Sequence, residues 1–379
     1  MAKDLFFMIG NQKVRINDLE HAVNEHFLSL YASTYGLPVL DVNKFKQNSF
    51  QFFDSIKNTT NIFAKHDDYF NNFTIIWRTL LDQQKFKQGE DLWKFALDIA
   101  LEWEKINVPM RIHKGTPYYF WAVTCFLNDD IDKGFSLMHQ AYEEDELTFS
   151  QGGPYNPADL PAGLFLYFVP ANNAQFFKQK LDIIKKFLED YFIDNYVNRR
   201  SRTFSYTVFE QKFLRSATVT KEVKFHFNLN LFRLEKIFNR FPDTSEKNTI
   251  TSLLYLETIF DLCRVFEFII KNPTRSRENF LQDVKDFSSH YKSSTLLDNI
   301  QSQDFHTNNF MNTLQAILNS HYLINGSTPD NLERDILITY GFRNFGAHRI
   351  EEHSLIVNNF NEIIRNIMNT IFLAIELYL

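Results

Sequence analysis

Leu355, Ile356, Phe360, Ile363, Ile364, Ile367, Met368, Ile371, Phe372 and Ile375 return at helical spacing towards the C-terminus of this chain. Such a stripe commits the segment to a helix that buries one wide face against other helices. Elsewhere there is little to interrupt helices, because 379 residues include 11 Gly and 10 Pro while 44% are apolar. A chain so poor in turn formers and so rich in core formers reads as mainly all-α. It is long enough for two or three domains with cores of their own. The 41 Phe and 16 Tyr are most simply core packing between helices, not a platform for stacking bases.

Composition also narrows the chemistry. Cys125 and Cys263 both fall in apolar helical patterns, which offers neither a zinc spacing nor a disulfide framework and suits a reducing compartment. The N-terminal segment lacks a long apolar region with a small-residue cleavage site, and no stretch of about 18 apolar residues occurs, so a cytoplasmic protein without a membrane partner is expected. There is no Gly-rich phosphate loop, no GxSxG elbow and no HExxH. His321, His348 and His353 are close in sequence but lack Cys or carboxylate partners at ligand spacing, while His290 and His306 read as loop or surface residues. No metal and no cofactor is expected.

In the N-terminal half, Trp77, Leu80, Leu97 and Ala100 hold the large, large, large and small positions of a helical hairpin. Tyr118, Trp121, Ala122, Gly134, Met138 and Ala141 repeat that spacing around a turn at Asn128, Asp129 and Asp130. The pattern resembles tetratricopeptide repeats, with an extended connection near Pro109 to Gly115. The resemblance implies a concave surface that docks a protein partner; the other reading is that these helices only complete the fold. A third helical pair is expected over Pro161 to Val169 and Ala174 to Tyr191. The run from Gln151 to Pro157 is the strongest loop signal in the chain. A helical pattern from Leu19 to Tyr35 carries no recognisable motif.

The domain boundary is placed near residue 195, giving 1–195 and 196–379. Beyond it, Val223, Phe225, Phe227, Leu229 and Leu231 alternate with polar residues, and Phe204, Tyr206 and Val208 alternate likewise. Period two argues for strands, hence a small β-hairpin at the junction, although the first segment can instead lead into a helix from Leu231. Arg199, Arg200, Arg202, Lys212, Arg215, Lys221 and Lys224 form the best basic cluster in a chain of net charge −6. Phosphate binding would need such a local surface, whereas the plainer reading is a solvated face.

Chemistry is concentrated at Gly341-Phe342-Arg343-Asn344-Phe345-Gly346-Ala347-His348. A guanidinium can neutralise a phosphate with two parallel donors, and an imidazole titrating near neutrality can move protons, a combination suited to phosphodiester cleavage. On a helix Asn344 and His348 share a face, so the amide can orient the imidazole. Arg343 lies five residues before His348, roughly 140° around the helix, and must reach around or act at a helix end. Gly346 and Ala347 leave room for an RNA backbone or a second helix. A two-fold dimer would bring two motifs together. The plainer alternative is a helix-end arginine on a carboxylate beside a surface histidine.

The motif resembles that of the HEPN superfamily, whose active members carry an arginine, four to six residues and a histidine, often with asparagine after the arginine. Arg343, Asn344 and His348 match it residue by residue. The resemblance implies a C-terminal helical bundle acting as a homodimeric, metal-independent endoribonuclease, in which the 2′-hydroxyl attacks the adjacent phosphate and leaves a 2′,3′-cyclic end. Roles in antiviral defence or as a toxin are the family's usual ones. It also implies an acidic and a basic residue on the first bundle helix, here Asp261 and Arg264 on the apolar helix Ile250 to Lys271. A salt-bridged helix face explains the same two residues. The tyrosine that some toxin members carry two positions after the histidine is replaced by Ile350, which puts control by nucleotidylylation in doubt. The competing reading is a non-catalytic HEPN scaffold or nucleotide-binding protein whose repeats recruit a partner.

Overall fold

The structure, a computed structural model, describes residues 6–9, 12–15, 42–71, 73–200, 203–240, 249–271, 280–291, 297–306, 309–345 and 354–379. Its architecture is all-α. The chain divides into two compact units, the first Met1–Phe165 with Val169–Lys178 and the second Leu166–Phe168 with Gln179–Leu379. Among the described residues, no helix is long and apolar enough to cross a membrane. The helical pattern read over Leu19 to Tyr35 lies outside the described residues.

The first unit opens with strands β1 (Phe6–Ile9) and β2 (Gln12–Arg15), paired antiparallel with Phe6 opposite Arg15. Six helices follow: α1 (Val42–Ile56), α2 (Ile62–Asn71), α3 (Thr74–Asp82), α4 (Phe86–Ile106), α5 (Gly115–Leu127) and α6 (Ile131–Ser150). Aromatic residues supply the core, where Trp93 stacks on Phe120 at 5.2 Å and Trp77 lies 4.7 Å from the same ring. Burying an indole leaves its N–H in need of an acceptor; that of Trp77 donates to Thr124 Oγ1 at 2.7 Å. The α5–α6 turn falls at Asn128–Asp130 as expected, with Asp129 at φ 64° and the Asp130 side chain accepting from the Lys133 amide. A Cβ on Gly134 would stand 2.6 Å from the Phe126 ring, so the small residue is what lets α6 approach α5. Ala100, Ala122 and Ala141 are likewise fully buried.

The loop from Gln151 is present, and both helices expected after it occur, each shorter than its predicted range. Helix α7 (Pro161–Leu166) stops before Val169, and a 3₁₀ run Asn172–Phe177 takes the place of the next helix's start. Phe177 is buried there and stacks with Phe126, which holds this run against the aromatic core.

The second unit begins along α8 (Lys178–Phe187), which passes through a π segment, Leu188–Ile193, into α9 (Asp194–Arg200). Then come α10 (Tyr206–Phe209), α11 (Lys221–Arg240), α12 (Thr249–Ile270), α13 (Phe280–Tyr291), α14 (Phe310–Leu318), α15 (Asn331–Phe345), α16 (Ser354–Asn358) and α17 (Phe360–Tyr378). The terminal stripe behaves as its spacing requires: residues Phe360 to Ile375 on α17 that were read as core are buried, packed on α12 and α15.

The expected junction hairpin is overturned. Residues 223–231 lie inside helix α11, and Tyr206 and Val208 lie in the short helix α10. Alternation misled because two of the polar partners, Asn228 and Asn230, do not face water. Asn228 and Asn230 are both fully buried and donate to the carbonyls of Leu166 and His226, so α11 is enclosed around much of its girth. A helix buried that way need not show a one-sided period.

Of the basic run, Arg202 lies outside the described residues, and four of the others are engaged in packing. Arg199 reaches Asp335 and Asn366, Lys212 donates to the Glu376 carbonyl at 2.8 Å, Lys224 donates to that of Ser216, and Arg215 lies over Tyr167.

Gly341 is required by a close approach: a Cβ would stand 2.2 Å from Phe310 Cε2 and 3.0 Å from Phe305 Cδ1. The Phe310 ring is itself hemmed in by Phe342 and Phe345, at 5.0 and 5.1 Å. Gly341→Ala is therefore expected to destabilise the unit by about 1–3 kcal/mol, read as a lowered urea midpoint. An unchanged midpoint would show that the ring can move aside.

Candidate functional site

Arg343 and Asn344 occupy the last turn of α15. His348 lies outside the described residues, together with Gly346, Ala347, Ile350 and His353. Arg343 makes a bidentate pair with Glu267 of α12, Nε to Oε2 at 2.9 Å and Nη2 to Oε1 at 3.0 Å, and its guanidinium lies over the Phe280 ring. The hydrogen bonds that Arg343 donates to Glu267, opposed in part by burial, hold its guanidinium still more firmly protonated. Asn344 forms a side-chain hydrogen bond with Tyr340, whose hydroxyl pKa burial raises.

Asp261 and Arg264 are brought together, though loosely, at 3.9 Å. Asp261 is framed by two further side chains from α11, His226 with Nε2 at 3.6 Å and Arg233 with Nη1 at 3.6 Å, the latter also 3.7 Å from Glu257. The stripe read on α12 is thus real and is completed across the helix interface. Sequence reasoning missed His226 and Arg233, although seven residues apart on α11 they share a face. It also missed Glu267, a carboxylate one turn beyond Arg264 in an otherwise apolar stretch. Glu267 follows Asp261 by six residues, about 240° around the helix, so the predicted set divides. Asp261 and Arg264 meet α11 on one side of α12, and Arg343 meets Glu267 on another.

On the α11 side, an open cleft of about 410 Å³ is lined by Thr220, Glu222, Val223, His226, Arg264 and Phe268. Phe268 is 51% exposed. The His226 ring Nε2 lies 3.1 Å from the Asp261 carbonyl oxygen. A carbonyl only accepts, so Nε2 carries the hydrogen and Nδ1 is left as an acceptor. Burial lowers the His226 pKa, against the pull of Asp261, which favours this neutral form.

The first unit holds a second titratable cluster that the sequence did not disclose. His113 is buried between Asp145 and Asp67, its Nε2 3.3 Å and 3.7 Å from their carboxylates, while its Nδ1 lies 2.9 Å from Thr148 Oγ1. The His113 amide donates to His66 Nδ1 at 3.0 Å. Lys114, also buried, pairs with Glu104 at 2.6 Å, and Arg111 pairs with Glu144. A Cβ on Gly115 would fall 2.4 Å from Asp145 Oδ1, so bare backbone admits the carboxylate here. Burial pushes Asp145 up to about 6 despite His113, and burial with the neighbouring cations pushes His66 down to about 3. Among the described residues, no group of three His, Cys, Asp or Glu side chains could hold a metal ion. The only hint in the sequence was the long Pro109 to Gly115 connection, whose residues turn inward to build this cluster.

His66 gives a pH signature with a definite sign. Its folded pKa is depressed, so below about 6.5 the unfolded chain binds a proton that the native state refuses, and stability falls with pH down to about 3. Asp145 acts oppositely between its unfolded and folded values. Comparison with His66→Asn, whose amide oxygen can still accept the His113 N–H, isolates the histidine. The stability advantage of wild type over the variant is expected to shrink by up to about 1.4 kcal/mol per pH unit below 6.5. Urea titrations at pH 4, 5, 6 and 7 measure it, and a pH-independent gap refutes it.

No protein-family model, no curated protein and no solved structure matches this chain.

Proposed function

We propose that the second unit is a HEPN-type endoribonuclease that cuts single-stranded RNA without a metal and leaves 2′,3′-cyclic phosphate ends. The observation that carries this reading is the sequence motif Arg343-Asn344-x3-His348, whose Arg343 and Asn344 stand in the last turn of α15 and which precedes α16 and α17 in the chain. His348 exchanges protons with the 2′-hydroxyl or the leaving oxygen, Arg343 offsets the charge on the phosphate, and Asn344 positions His348. Support comes from the exposure of Arg343, whose side chain is 31% accessible and whose Nη1 is not used in the pair with Glu267. Asp261 and Arg264 play the supporting part, with Asp261 held between Arg233 and His226. The active form in this proposal is a homodimer in the cytoplasm, serving defence or acting as a toxin, and the tetratricopeptide-like helices of the first unit dock a protein partner.

One observation favours a second reading, a non-catalytic nucleotide-binding or dimerising scaffold. The Arg343–Glu267 pair is bidentate, which neutralises the guanidinium where a phosphate would need it. Incubation of labelled single-stranded RNA with the protein in EDTA, followed by identification of the product ends, separates the two. Cyclic phosphate ends made by wild type and not by His348→Ala support the nuclease. Equal cutting by both proteins, or ends of another kind, rejects it.

A further inference from the structure

The open cleft between α11 and α12 carries chemistry that the motif does not account for. Its walls combine an exposed aromatic ring, an arginine and a neutral imidazole acceptor, which are the three complements of a nucleotide. Phe268 is the odd residue: α12 is apolar towards its neighbours, yet this ring is half in solvent and lines a cavity. One turn before it on the same helix is Arg264, whose side chain is 47% exposed and whose contact with Asp261, at 3.9 Å, is longer than a hydrogen bond. Its charge is therefore still available to an anion. Across the cleft stand Thr220, just before α11, and His226 of α11, the latter with Nδ1 left to accept from a hydroxyl or amine. A volume of about 410 Å³ falls in the range of small-molecule sites.

From this juxtaposition we infer that the cleft binds one nucleotide of a single-stranded RNA, with its base stacked on Phe268, its phosphate on Arg264 and a sugar or base donor on His226. The inference rests on the nuclease reading for the identity of the strand, and it assigns to the α11 side of α12 a subsite separate from the Arg343 end. Aromatic stacking of a base tolerates any sequence, so the cleft adds affinity without adding strong base preference. Glu222 at the rim, 61% exposed, repels phosphate and favours a single nucleotide's charge over a longer phosphate track at that edge.

Fluorescence anisotropy with a labelled 2′-O-methyl RNA octamer tests it, because that probe lacks the attacking hydroxyl and reports binding alone. Phe268→Ala is expected to weaken binding by about 5- to 150-fold, the range for losing one stacked base, while Phe268→Tyr restores it. Arg264→Gln is expected to weaken binding and to lower the slope of log affinity against log salt by about 0.7, as for one phosphate contact on a single strand. Both side chains are exposed, and circular dichroism melting confirms that the variants fold. Variants that bind like wild type overturn the inference, as does a wild type that fails to bind the octamer. Binding of adenosine monophosphate but not of the octamer would overturn the strand and identify a free nucleotide. If the octamer result holds while wild type cuts no RNA, the nuclease reading falls and the cleft remains. If wild type cuts RNA while Phe268→Ala and Arg264→Gln bind and cut equally well, the cleft falls and the nuclease remains.

Discussion

His348→Ala is expected to lower the rate of chelator-resistant RNA cleavage by about 10²- to 10⁴-fold, the contribution of a positioned acid or base to proton transfer. The variant is expected to keep its thermal midpoint and to bind uncleavable RNA as wild type does. Arg343→Ala should lower cleavage in the same direction, by about 10²- to 10³-fold if the guanidinium stabilises developing phosphate charge. It differs in one respect. It also strands Glu267, which is 16% exposed, and should cost stability that His348→Ala does not. Single-turnover rates with the RNA substrate, read beside urea midpoints, separate the two effects. Retention of full cleavage by His348→Ala would leave the motif without a chemical role and eliminate His348 as the catalyst.

The largest loss of stability is expected from Arg199→Met. Asp335 of α15 has no exposure, and its carboxylate is held by Arg199 Nη2 at 3.2 Å and by the Asn369 amide at 3.2 Å. Arg199 also donates from Nη1 to Asn366 Oδ1 at 2.9 Å, which ties α9, α15 and α17 into one polar knot inside an apolar bundle. Removing the cation takes the opposing charge from a buried carboxylate, and breaking such a pair costs about 3–5 kcal/mol. Because the Arg199 side chain is 22% exposed, solvent screens part of the pair and the lower end of that range applies. Adding Asp335→Leu to the variant removes the orphaned charge and should return most of the loss. A cost below about 1 kcal/mol for Arg199→Met, as for a surface pair, would mean that water or Asn369 already satisfies Asp335.

The buried polar knot also shows where sequence reading ends. Spacing of apolar residues identified the helices over 249–270 and 360–378 within a few residues, because a helix that buries one face repeats its core residues every three or four positions. It also located the α5–α6 turn, where Asp129 takes a left-handed backbone that Asn and Asp tolerate. It failed on α11, where buried Asn228 and Asn230 mimic the polar half of a strand. Local pattern cannot report whether a polar residue is solvated or hydrogen-bonded inside a core.

The same limit governs the sites. Residue types and short spacings were enough to single out Arg343, Asn344 and His348, and to group Asp261 with Arg264, because neighbours on one helix are set by its pitch alone. By itself, then, the sequence determined an all-α chain and the faces that its most regular helices bury. Only the tertiary structure decided which partner each charge takes. Glu267 lies 76 residues from Arg343, His226 lies 35 from Asp261, and His113 meets His66 through its backbone amide and Asp145 through its imidazole, from opposite directions along the chain. Those pairings follow from which helix faces pack together, and packing is chosen by the shape and total burial of the whole core, a property that no window of neighbouring residues contains.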